Sequence, residues 1–331
     1  MSQDLLYTYV TGFDRTIRST VELTGGKMRQ FVEQATGDLF HSDGVYQFTS
    51  GGGLPQKVTN RFGDSPVSEL DYTRRRVTRT AFDDGHFMDW ADVAKMGTDP
   101  RNKKLTAMRD KFLRKEDLII DQALLGTAQG GDNGETTTVF DTGNIIDVTL
   151  GAASGYTNAG FNYSKFLATL TKFGENNVDL EAVQPIFKLS YAQWQNMMED
   201  DKFINNDYTT SRPIDAAHSA MINEYMGCKF CITNIVPWMN TAGTGFNIAD
   251  TDINTTVGKW TDTDNTDIRA VSAFVQDAVL LEINPEITTD IGKRFDKKGS
   301  WYAYMKVAYG AVRTQEALSI AIPCDQSPSP A

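Results

Sequence analysis

The 331-residue chain is poor in several things, and each shortage excludes something. It has three cysteines, Cys228, Cys231 and Cys324. An odd count in a long chain gives no disulfide framework and fits a reducing compartment, or a particle assembled in one. Glycine and proline are too few, and too irregularly placed, for a fibrous chain. Apolar runs are short: Ala278 to Leu281 is typical, far below the length that crosses a bilayer. The start, Met1-Ser2-Gln3-Asp4, carries an early acid and no basic stretch followed by an apolar one, so no secretory leader is expected. Basic residues are outnumbered, 32 against 43, and the net charge of −11 argues against a surface that grips DNA throughout.

What is present is enough apolar material for a sizeable core. The stretch ahead of Gly25-Gly26 mixes Thr, Ser and Arg with scattered apolar side chains and reads as an arm with little core of its own. A short helix from Met28 to Gln34 is expected to follow. From His41 to Phe82 strand formers and turn formers alternate. Val45, Tyr46 and Phe48 lead into Gly51-Gly52-Gly53, and a second extended stretch runs from Glu69 to Thr80. This predicts a long hairpin that needs a partner to lie on, because a lone two-stranded ribbon buries too little.

The clearest helix follows. Thr98 or Asp99 can cap it, with Pro100 at the first helical position. Leu105, Met108, Phe112, Ile119 and Ala123 step by threes and fours, with Glu116 filling the one break, and Gly126 ends the run. Its length would be about 25 residues, or about 37 Å. Further on, the pattern predicts a helix at Asn162 to Gly174, a buried strand at Val183 to Leu189, a short helix capped by Ser190, a helix from Pro213 to Tyr225, and a strand from Cys228 to Val236. A polar loop spans Asn240 to Asp267, then a strand, or a strand and a bend, runs from Ile268 to Ile283. Trp301, Ala303, Met305, Val307 and Tyr309 alternate along one closing strand, and Leu318, Ile320 and Ile322 along another, with a turn between Gly310 and Gln315.

Candidate chemistry is sparse. Cys228-Lys-Phe-Cys231 matches C-x-x-C, but in a strand residues three apart face opposite sides, and no second pair completes a metal site. Buried structural cysteines are the better reading. His41, His86 and His218 stand in unrelated contexts, with no local nucleophile motif. Asp83, Asp84, His86, Asp89 and Asp92 form an acidic cluster that could hold a cation or meet basic side chains; a solvated turn and helix start before Val93 is the better reading. Asp262 to Asp267 lacks the glycine and distal glutamate of a calcium loop, and the glycine clusters form no nucleotide-binding motif. No cofactor is expected. Arg74-Arg75-Arg76 with Arg79 is the one dense basic run. It could contact phosphate, grip carboxylates of a neighbouring subunit bidentately, or keep an edge strand from aggregating. Net acidity disfavours the first. Arg74, Arg75, Arg76, Arg79, Asp83 and Asp84 are therefore the candidate inter-subunit contacts.

Four stretches carry a family resemblance. They are Thr73 to Arg79 leading into Phe82 and Met88-Asp89-Trp90-Ala91-Asp92; Asp99-Pro100 followed by Met108 to Ala128; Leu189-Ser190 with Gln193-Trp194, Asp207-Tyr208 and Gly227 to Pro237; and Arg313-Thr314-Gln315-Glu316. In this order they resemble the major capsid proteins of tailed double-stranded-DNA phages, the Hong Kong 97 capsid fold. The resemblance implies an α+β chain with an N-terminal arm (1–40), an extended β-hairpin loop (41–82), a peripheral domain (83–182) with a spine helix near 99–126, an axial domain (183–283), and returning strands with a C-terminal tail (284–331). It implies a structural, non-enzymatic protein of the virion capsid, assembled in the host bacterial cytoplasm. Hexamers and pentamers would enclose DNA without sequence-specific binding and without a membrane. Scaffolding and portal proteins, and in some relatives decoration proteins, are the implied partners. Two alternatives stand beside it: an encapsulin-like compartment shell, and a metal-assisted hydrolase built from Asp83, Asp84, His86 and Asp89.

Overall fold

The computed structural model describes residues 26–35, 44–50, 57, 71–89, 101–131, 134–152, 158–204, 224–239, 246–247, 268–284 and 286–325. Helix α1 spans Arg101–Leu125. Its apolar rows explain its place: Met108 and Phe112 pack with Met305, Val307 and Tyr309, while Ile120 and Leu124 pack with Val279, Leu281 and Ala321. Its last turn closes where the Gly126 N–H donates to the Gln122 carbonyl at 2.9 Å. A side chain at 126 would collide with that same carbonyl, so glycine belongs there. The cap expected at Thr98 or Asp99, and Pro100, lie outside the described residues. Helix α2, Tyr163–Glu175, is capped by Asn162, whose side chain accepts from the Lys165 N–H at 2.9 Å. Helix α3, Tyr191–Glu199, opens on a reciprocal capping box between Ser190 and Gln193. A short helix α4, Asp201–Ile204, follows.

Three sheets surround these helices. In the first, the long strand β15 (Ser300–Arg313) carries β13 (Val279–Ile283) and β14 (Thr288–Arg294) one after the other on one edge. Strand β4 (Thr80–Met88) runs antiparallel along its other edge, and β1 (Glu33–Gln34) lies parallel to β13. The second sheet has the order β11 (Phe246–Asn247), β10 (Trp238–Met239), β12 (Ile268–Phe274), β7 (Ile186–Leu189), β9 (Cys228–Ile232), β8 (Glu224–Tyr225), with β16 (Ser319–Asp325) paired along β12. The third joins β2 (Gly44–Ser50), β3 (Asp71–Val77), β5 (Ala128–Gly130) and β6 (Thr136–Thr138).

The second sheet is covered on both faces. Phe166 and Phe173 of α2 meet Phe187, Phe230, Ile320 and Ile322 on one face. Ile186, Ala270, Phe274 and Ala321 face α1 on the other. Cys228 belongs to the first layer and Cys231 to the second, as the strand spacing requires. Burial pushes their thiols up to about 12 and about 11, so neither is a thiolate at neutral pH.

Several expectations are corrected. Met28 to Gln34 is a single 3-10 turn, Arg29–Phe31, followed by β1, because β13 offers a pairing edge. From Asp83 to Met88 the acidic stretch is strand rather than turn: β4 pairs along its whole length with β15, and that ladder overrides the turn-like composition. Trp90 to Asp92 and the helix start expected before Val93 lie outside the described residues. Tyr225 ends no helix. It sits in β8, and Met226 at φ 48° and Gly227 at φ 75° turn the chain directly into β9. The rest of the helix expected from Pro213 lies outside the described residues. The turn expected at Gly310 starts later, since β15 runs to Arg313 and the reversal uses Thr314 to Leu318. Strand β14 had no periodic signal because all seven residues are exposed.

Candidate assembly surface

The expected hairpin is present as β2 paired antiparallel with β3, from Gly44 opposite Val77 to Ser50 opposite Asp71. Residues 51–56 and 58–70 beyond it are outside the described set. Alternation along β3 puts Arg75 on the same face as fully buried Val77, and Arg74 and Arg76 on the other. Val77 packs with Ala128, Leu280 and Val312, anchoring the hairpin root to the body.

Arg75 is buried and its guanidinium is satisfied within its own chain. Nε donates to the Thr314 carbonyl at 3.1 Å and Nη1 to Thr138 Oγ1 at 2.8 Å, while Nη2 pairs with Glu316 Oε1 at 3.4 Å. Glu316 also accepts from Arg313 Nε at 2.8 Å. Arg313 has no exposure and caps the end of α1, with Nη1 donating to the carbonyls of Ala123, Leu124 and Gly126 at 3.3, 3.0 and 2.7 Å. Its guanidinium also lies 5.2 Å from the Phe140 ring centre. Hairpin root, closing turn and helix end thus meet at one carboxylate. Arg79 pairs with Glu282 at 3.4 Å, both mostly buried. Arg74 is exposed and Arg76 half-buried. Together with Tyr72, 58% exposed, they form the outward face of the root.

The acidic pair lies on β4. Asp83 is exposed and accepts from the Tyr304 hydroxyl at 3.3 Å. Asp84 accepts from Lys111 Nζ at 3.3 Å. The strand places Asp83 on one face and Asp84 and His86 on the other, with Asp89 just beyond its end, so Asp83, Asp84 and His86 do not converge as a hydrolase centre would need. Among the described residues no group of three or more His, Cys, Asp or Glu is placed to hold a metal ion.

A buried acidic row on α1 escaped functional notice in the sequence. Asp117 accepts from the backbone N–H groups of Gly26, Lys27 and Met28 at 3.0, 3.4 and 3.0 Å, tying the start of the described chain to the helix. Asp121 is ion-paired to Lys188, both essentially without solvent contact, and burial still pushes its carboxyl up to about 6. Glu116 is fully buried, 3.9 Å from Arg29 Nε, and burial pushes its carboxyl up to about 7. The available signal was positional: Glu116 interrupts the apolar row between Phe112 and Ile119.

The family model described as "Phage capsid protein" matches residues 6–326. No curated protein matches the chain. Among solved structures, the head structure of Helicobacter pylori bacteriophage KHP40 superposes with TM-score 0.66 at 11% identity, covering 96% of each chain. The capsid of cyanophage P-SCSP1u gives 0.64 at 13% identity, covering 95% of this chain and 92% of that one. The capsid of Ralstonia phage GP4 gives 0.64 at 11% identity, covering 95% and 94%. These likenesses show the fold, and the full-length family match shows membership: with its mixed helix and sheet body in the Hong Kong 97-like arrangement, this chain belongs to the phage capsid protein family.

Proposed function

We propose that copies of this chain form the hexamers and pentamers of an icosahedral shell that encloses packaged double-stranded DNA. The observation that carries this is the hairpin root. It is clamped to the body through Arg75, Glu316 and Arg313, yet it presents Arg74, Arg76 and Tyr72 outward. A ribbon held so firmly at its base is built to bear load from a neighbour. In this reading residues 1–40 are the arm, 41–82 the extended loop, 83–182 with 284–331 the peripheral part with α1 as its spine, and 183–283 the axial part. Arg74, Arg76, Asp83 and Asp84 are the contacts to neighbouring copies, whereas Arg75 and Arg79 support the loop from within. The protein performs no catalysis. It assembles in the bacterial cytoplasm with a scaffolding protein and a portal, with decoration proteins as further partners, and it ends in the virion. The acidic balance keeps the shell from clinging to its DNA. A cargo compartment is not favoured, because the full-length match is to phage capsid proteins.

Sedimentation and negative-stain imaging of purified protein, alone and with the co-encoded scaffold, test this. Rings of five and six copies and closed shells are expected. A monomer that persists at all concentrations with scaffold present would refute it.

A further inference from the structure

Lys188 and Asp121 meet where α1 lies on the second sheet, and they are poorly matched as an ion pair. Both are buried. An ammonium carries three N–H donors, yet among the described residues Lys188 Nζ donates to Asp121 Oδ2 alone. Asp121 Oδ1 is buried without a donor. Ser272 stands directly opposite Lys188 on β12, and its buried hydroxyl has no partner among the described residues either. Cys231 flanks Lys188 on β9 and is kept a neutral thiol by burial. Asp117, one turn earlier on α1, has both oxygens occupied by the N–H groups of Gly26, Lys27 and Met28.

Mutual attraction offsets the lost hydration of buried ions only where the remaining donors and acceptors are matched as well. Here they are not. Moving one proton from Nζ to the carboxyl removes both charges, and burial favours the neutral acid. That leaves a neutral amine held against a neutral carboxylic acid away from solvent. Fixed contact of this kind replaces a bimolecular encounter, with effective concentrations of about 10⁵ M or more. Exclusion of solvent also deprives the reverse hydrolysis of water.

From this we infer that Lys188 and Asp121 join in an isopeptide bond within the chain. Nζ attacks Asp121 Cγ. The N–C bond forms as the C–O bond to the acid hydroxyl breaks, and that hydroxyl leaves with one amine proton as water. No oxidant, cofactor or second copy takes part. The amide keeps one N–H and one carbonyl oxygen, and the Ser272 hydroxyl on the neighbouring strand can serve either. The bond staples α1 to β7, whatever the chain assembles into.

A single internal water bridging Lys188, Asp121 and Ser272 would satisfy the same atoms without a bond. Mass separates the two. Intact-mass measurement of the denatured full chain should give one water, about 18 Da, less than the sequence with the same N-terminus. Trypsin should release residues 116–165 joined to residues 173–202, uncut at Lys188. Lys188→Arg keeps the cation but has no amine to attack, and should show the full sequence mass. Wild-type protein at the full sequence mass would overturn the inference. So would a lost water that digestion maps elsewhere, or one that persists in Lys188→Arg.

Discussion

Glu116 makes a sharp test of how burial sets the stability of this chain. Its side chain has no exposure, and neither carboxylate oxygen has a hydrogen-bond donor among the described residues. Its neighbours are Arg29, 3.9 Å away and also paired to Glu286 at 2.8 Å, the carboxylate of Asp117, and the Tyr309 phenol. Burial outweighs the attraction to Arg29 and lifts the carboxyl from 4.5 to about 7. Between those two values the folded chain binds the proton and the unfolded chain does not. The contribution is therefore intact below about pH 4.5 and lost as pH rises through 7. A shift of that size corresponds to at most about 3 kcal/mol, and water reaching the partly exposed Arg29 trims it to about 2 kcal/mol. Glu116→Gln keeps the shape and removes the charge. Urea unfolding of unassembled protein should show the variant about 2 kcal/mol more stable than wild type at pH 8 and nearly equal at pH 5. Asp117 and Asp121 titrate in both proteins, so the difference isolates position 116. If Gln destabilises at pH 8, the Glu116–Arg29 pair is net favourable, and the desolvation argument fails.

Three further outcomes follow from the same geometry. Arg75→Ser should lower the stability of the isolated chain by about 1–3 kcal/mol, because Glu316 and the Thr314 carbonyl each lose a donor; Arg74→Ser with Arg76→Ser should leave the chain folded but weaken assembly, with the deficit against wild type shrinking as salt rises. Lys188→Met should cost about 3–5 kcal/mol at pH 8, measured by calorimetry, since it strands the Asp121 carboxylate without its cation; less loss at pH 5 is expected, where Asp121 takes up a proton. Asp117→Asn should speed amide hydrogen exchange at Gly26 to Met28 while α1 stays protected, because the carboxylate that accepts all three N–H groups is halved in capacity.

Local physics wrote some elements openly into the letters. The stepping of Met108, Phe112, Ile119 and Ala123 made α1 legible, and Ser190 announced the start of α3. The spacing of Cys228 and Cys231 in a strand already sent the two thiols to opposite layers. The hairpin was readable from its alternating strand and turn formers, and the ordered set of stretches pointed to a capsid chain. Other features had no local signature. Asp83 to Met88 looks like a turn until β15 offers it a ladder. Strand β14 shows no alternation because neither of its faces is buried.

Composition and periodicity alone determined that this is an acidic chain with one long helix, several buried strands and an arginine-bearing ribbon. Which arginines point outward was decided only by the tertiary structure. Arg74, Arg75 and Arg76 are identical in kind and adjacent in sequence. Pleating sends Arg75 inward, but only the arrival of Glu316 from the far end of the chain makes that burial tolerable, because a guanidinium leaves water only where carboxylate and carbonyl partners replace it. The same holds for the acids of α1: Glu116 reads as the one break in an apolar row, and none of Glu116, Asp117 and Asp121 shows its partner until Arg29, the backbone at Gly26 to Met28, and Lys188 are brought against them.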